Sequence, residues 1–268
     1  MVVSINIDVY REAYFAFDKP VPYKLKCGYV LQIQPITLAD SLIFITSYGI
    51  LDIDKNSIND VDVISMSYLK FLAQRVLPYS ESSKQQFVNI CLLCLKFEYP
   101  YIVFDEKDRP ILCNIKKDTG NKICEITAKE FDDIKRIILY QNLPNFDDSY
   151  INPELKERMD EVDALRNKGI ETPSLERRIA IISSHCGINK KEQLEMTFRS
   201  HSILFQEVSA EVEYLVTKPI AIYGGKSEEV QWIFKKKKDK FQDYIMSVED
   251  YNKSMGGDGS VKTIHSNK

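Results

Sequence analysis

The sequence predicts a mainly helical α+β fold, with a small N-terminal hairpin and a short antiparallel meander followed by a C-terminal helical part. Three observations predict it. Leu194, Phe198, His201, Phe205, Val208, Val212 and Leu215 recur with alternating steps of four and three, which keeps one stripe of a helix facing a partner. Short β-rich runs lie on both sides of Gly28 and again across 101–126, each bounded by turn residues. Thr127 with Glu130, and Asn189 with Glu192, have the spacing of capping boxes, in which the two side chains satisfy the free N–H groups of a starting helix.

In chain order, Tyr23 to Cys27 and Tyr29 to Gln34 read as a hairpin within a strand-and-turn region covering the first thirty-five residues. Thr37 is expected to cap a helix over 38–48, with Gly49 as its stop. Residues 52–62 spell a partial calcium loop through Asp52, Asp54, Asn56 and Asp60. Ser57 stands where the tight turn needs Gly and Val63 where a closing Glu is required, so a solvated acidic loop is expected. Helices follow over 61–77, with Ile64, Tyr68, Leu72 and Val76 on one face, and over 82–97, stopped by Pro78 and Pro100 respectively. Runs 101–104, 111–115 and 122–126 form the meander, and the helix 128–142 carries Phe131, Ile134 and Ile138 inward.

The polar stretch 144–153 marks an expected boundary, giving an N-terminal domain over 1–143, a helical domain over 144–253 and a disordered tail over 254–268. The helix 153–168 has only a thin apolar stripe of Leu155, Met159, Val162 and Leu165. It suits a surface or a waiting partner. A helix after Thr172 and Pro173 turns Leu175, Ile179, Ile182 and Cys186 inward and ends at Gly187, leading directly into one long helix over 189–216 that Pro219 limits. Ile220 to Tyr223 suits a strand, and 228–245 an amphipathic helix holding Trp232.

Composition narrows the function classes. A chain of 268 residues with 44% hydrophobic and 28% charged residues can bury a sizeable core, and a net charge of -3 gives no global attraction to nucleic acid or anionic membrane. Met1 to Tyr10 lacks a signal-peptide pattern and no apolar run reaches membrane-spanning length, so a cytoplasmic chain is expected. Six scattered cysteines are expected as thiols. Cys91 and Cys94 fall in an apolar helical run and are expected in the core. A zinc site made with Cys113 and Cys124, the basis of a metal-dependent enzyme reading, has the wrong second spacing.

The remaining constellations point to binding. The hairpin 172–216 invites a helix-turn-helix reading, in which Lys190, Lys191, Gln193 and Arg199 would face DNA; a DNA-binding regulator is therefore the alternative function. His201 on the stripe is expected as a satisfied core histidine. His185 and Cys186 lack the oxyanion hole and nucleophile turn of a hydrolase. GGKS at 224–227 lacks the first Gly that a P-loop requires, and Ile220 stands there instead. Lys235, Lys236, Lys237 and Lys238, beside Trp232, form a basic patch suited to a solvated face or an acidic partner.

Four stretches carry a family resemblance: CGYVLQIQPITLAD, ITAKEFDDIKRIIL, PSLERRIAIISSHCGINKKEQLEMTF, and the Trp232 and lysine segment. Together they cover about a third of the chain and resemble phage tail assembly chaperones, or tail and baseplate assembly proteins. The resemblance implies a non-enzymatic protein, without cofactor, that binds a tape-measure or other tail protein in the host cytoplasm or the virion. The partner-binding residues expected are Leu194, Phe198, His201, Phe205, Val208 and Val212 in a groove, with Trp232 and the four lysines. Self-association is a further mode; nucleic acid is disfavoured and no membrane partner is expected.

Overall fold

A computed structural model describes residues 5–149, 152–166, 168–169, 171–223 and 241. The fold is α+β and mainly helical, with a two-stranded antiparallel hairpin and a three-stranded antiparallel sheet. The chain forms two compact units, Met1–Ser149 with Pro173–Val212, and Tyr150–Thr172 with Glu213–Lys268. This division differs from a boundary at 144, because the segment 173–212 belongs with the N-terminal residues. The expected helix 228–245 and the tail from 254 lie outside the described residues, apart from Phe241.

The first unit opens with α1 (Ile7–Ala13), where strand and turn were expected. Asn6 caps it by accepting the N–H groups of Asp8 and Val9. Only Ile7 of this helix is buried, so it carries no periodic stripe to betray it. The expected hairpin follows as β1 (Val21–Lys24) and β2 (Val30–Ile33), paired from Val21 with Ile33 to Lys24 with Val30. Gly28 makes its turn possible at a φ of 87°, a left-handed value that side chains resist.

α2 (Ser41–Ser47) starts three residues later than expected, because Thr37 Oγ1 bonds the Asp40 carboxylate instead of a helix N–H. Gly49 does not stop it either. The chain tightens into a 3-10 turn over Tyr48–Leu51, burying Ile50 and Leu51. In the acidic loop Asp54 and Asp60 accept backbone N–H groups at the starts of short helical turns, and Lys55 donates to the carbonyls of Ile64 and Met66. The carboxylates work as caps.

The expected helix 61–77 is broken. It forms α3 (Val61–Ser65), an extended step at Met66 and Ser67, α4 (Tyr68–Phe71) capped by Ser67, a π turn over Leu72–Val76 and a 3-10 turn over Leu77–Tyr79. The extended step resets the helical phase, which leaves Ile64 exposed while Tyr68 and Leu72 are buried. α5 (Glu81–Leu95), capped by Ser80, packs on α2, where Asn89 donates to the Ser47 hydroxyl and Gln86 to the Thr46 carbonyl. Cys91 and Cys94 lie in the core, as expected.

The meander is present as β3 (Tyr99–Phe104), β4 (Pro110–Ile115) and β5 (Lys122–Thr127), in the order β3-β4-β5. The Thr127 and Glu130 capping box opens α6 (Ala128–Asn142), whose Phe131, Ile134 and Ile138 are buried against Phe87, Ile90 and Ile126 in one core. Buried polar side chains fix the layers. Glu130 also accepts the Lys26 N–H, Asn142 accepts the Ile36 N–H and donates to the Ile138 carbonyl, and Asn114 accepts the N–H groups of Glu98 and Tyr99.

The helical hairpin is α8 (Leu175–Cys186) and α9 (Lys190–Glu195), joined through Gly187 at a φ of 72°. The long helix expected over 189–216 is divided here. Met196 is extended, Thr197 bridges Thr37, and α10 (Phe198–Ile222) starts afresh. The break is held by backbone bonds from Ala39 to Leu194, Leu38 to Met196, and Phe198 to Ile36. Pro219 sits inside α10 and does not end it, and Ile220 to Ile222 are helical where a strand was expected.

The second unit contains α7 (Pro153–Arg166) and the part of α10 from Glu213 onward. Leu155 and Leu165 are exposed on α7, consistent with its thin stripe.

Candidate functional site

The α8–α9–α10 region is organised by one buried amide. Gln193, fully shielded from solvent, shares its two N–H groups among the Ile179 carbonyl, the Ser183 hydroxyl and the Ile188 carbonyl, and its Oε1 meets His201 Nε2 at 3.2 Å. His201 is thus the satisfied core histidine expected. Burial, reinforced by the Arg178 charge, holds its pKa below the ordinary 6.5, so the imidazole is neutral near pH 7.

The stripe does not form an open groove over its first half. Phe198 packs against the main core, Val208 is buried, and Phe205 is half-buried with the Arg178 guanidinium 5.3 Å above its ring. Leu194 is also half-buried. Val212 is exposed; Trp232 and Lys235 to Lys238 lie outside the described residues. The burial has a physical cause: the break at Met196–Thr197 turns Phe198 toward Phe44, 6.4 Å away between ring centroids.

In the second unit α10 presents the opposite arrangement. Leu215 is 57% exposed and Ile222 69%, and Val216, Ile220 and Tyr223 are also exposed. At 3.6 residues per turn these five side chains, with Pro219, fall on one half of the helix, while Glu213, Thr217 and Lys218 fall on the other. These side chains make a continuous apolar face on the exposed side of the helix. The sequence pattern hides this face, because its alternating steps end at Leu215 and Ile220 to Tyr223 suits a strand.

The residues of the alternative readings sit differently. Lys190 and Lys191 are exposed, but Gln193 is buried and the Arg199 guanidinium donates to the Tyr140 carbonyl, so neither can read DNA. α9 has only six residues. His185 Nε2 pairs with Glu211 at 2.8 Å, and Cys186 is exposed. The cysteines of the zinc reading are thiols by environment: burial pushes Cys91, Cys94 and Cys113 up, and Cys124 to about 11. Among the described residues no group of His, Cys, Asp and Glu could hold a metal ion, and no helix is long and apolar enough to cross a membrane.

Two cavities open on the first unit. One, about 360 Å³, lies between β3 and the α5 side, with Leu77, Phe87, Val88 and Ile102 in its wall. The other, about 400 Å³, lies between α1 and α10. No family model, curated protein or solved structure matches this chain.

Proposed function

We propose that this chain is a non-enzymatic phage tail assembly factor or structural protein, which binds a helical segment of a tape-measure or other tail protein. The observation that carries the reading is the exposed apolar half of α10 between Leu215 and Tyr223. An amphipathic helix from a partner can lay its own apolar stripe against such a face, and burial of each large aliphatic side chain would contribute roughly 1.5–3 kcal/mol. The family resemblance supplies the class of partner, and host cytoplasm or virion as the place.

This moves the binding surface from the 194–212 stripe to the distal part of α10. The stripe's earlier members are occupied within the fold. The test is purification of the tagged protein from cells expressing its neighbouring genes, with mass spectrometry and an absorbance check for nucleic acid. Recovery of a long helical tail protein is expected; recovery of nucleic acid alone would overturn the reading in favour of a regulator.

A further inference from the structure

The cavity between α1 and α10 has an unusual charge arrangement. Its wall is apolar along Phe15, Ala16, Ile203 and Leu204, and its charged groups are Arg11, Arg199 and Glu207. Arg199 is only 7% exposed. One of its five N–H donors is spent on the Tyr140 carbonyl at 2.8 Å, and its guanidinium lies 5.8 Å from the Phe15 ring centre.

A buried guanidinium normally gains a carboxylate. The nearest candidate, Asp18, is committed elsewhere: its oxygens accept the Thr197 hydroxyl at 2.5 Å and the Ser200 hydroxyl at 2.8 and 2.9 Å. Among the described residues no carboxylate is hydrogen-bonded to Arg199, although Asp18 attracts it through space. Arg11, half-exposed and bonded to Asp8 at 3.3 Å, adds a second positive charge that repels it. Asp18 therefore offsets the Arg199 charge only through space, and the guanidinium, which lines a space large enough for a small ligand, has no carboxylate bonded to it.

We propose that this cavity binds a carboxylate borne on an apolar group, with Arg199 and Arg11 holding the carboxylate and Phe15, Ile203 and Leu204 enclosing the apolar body. The two planar guanidinium forks match the geometry of a carboxylate. The apolar wall selects against a hydrated dianion such as phosphate. The ligand chemistry is that of a polypeptide C-terminus or of a small organic acid. The site stands independently of the partner reading above.

The test is calorimetric titration of the full-length protein with four probes: N-acetyl-Leu-Phe with a free carboxylate, its C-terminal carboxamide, phenylacetate and inorganic phosphate. The free acid is expected to bind about tenfold more tightly than the carboxamide, as a charge-assisted bidentate bond requires. Arg11→Gln should weaken the acid several-fold, and Ala16→Trp should abolish its binding by filling the cavity. Both positions are at the surface, so these variants remain informative if Arg199→Met fails to fold. Phenylacetate binding as tightly as the peptide would assign the site to small acids, and much weaker binding would assign it to a C-terminus; either supports the proposal. Acid and amide binding alike, phosphate binding best, or no binding by either acid would overturn it.

Discussion

Gln193 and His201 show how much one side chain can hold. The amide joins α8, the hairpin turn and α10 by sharing its two N–H groups among three acceptors and accepting one contact at Oε1. Gln193→Leu removes the side-chain donors to the Ile179 and Ile188 carbonyls and should destabilise the protein by about 2 kcal/mol in urea denaturation; an unchanged midpoint would contradict this role. His201 gives a pH signature. Its folded pKa is lowered, first by burial and then by Arg178, so the unfolded chain takes up a proton that the folded chain refuses. Its contribution is complete above the unfolded value of 6.5 and is lost as pH falls below it. His201→Gln, which keeps an amide nitrogen near Nε2, should flatten the stability profile between pH 7 and 5. None of this network was visible in the sequence beyond the position of His201 on a stripe, because hydrogen-bond partners five to fourteen residues apart have no periodic signature.

At the scale of elements, local chemistry was the readable part. Both capping boxes, the Gly28 turn, the Gly187 stop and the three meander strands depend on residues within a few positions of one another, and all are present. What failed were boundaries decided by distant contacts. The chain at 36–39 pairs with 194–198 and divides a helix that periodicity alone drew as continuous; the extended step at Met66 and Ser67 does the same to the 61–77 segment. Two glycines separate these effects. Gly187 needs a left-handed φ of 72°, so Gly187→Ala should cost about 1 kcal/mol; Gly49 has an ordinary φ with open space around its Cβ position, so Gly49→Ala should be neutral or stabilising by up to about 1 kcal/mol. Paired thermal melts decide the matter, and equal shifts would contradict the assignment.

Across the whole molecule, apolar surface is distributed unevenly between inside and outside. The first unit buries one large core shared by the hairpin, the helices and the sheet, with Phe44, Leu69, Leu72, Ile90 and Ile134 at or near zero exposure. The second leaves the apolar half of α10 in contact with solvent. This contrast divides the stripe's helix in two, and the sequence pattern could not foresee it: periodicity reports that a face will be covered, and cannot say whether by the chain itself or by a partner. Val208→Asp is therefore expected to unfold the first unit, seen as loss of cooperative melting by circular dichroism, because it places a charge among buried side chains. Leu215→Asp combined with Ile222→Asp alters only exposed positions and should leave the melt intact.

The most direct measurement is the amount of tail protein that co-purifies with this doubly substituted chain, set against the wild type at equal soluble yield. The account predicts that the Leu215→Asp, Ile222→Asp protein remains folded and loses the partner. Undiminished capture by that folded protein would contradict α10 as the docking face.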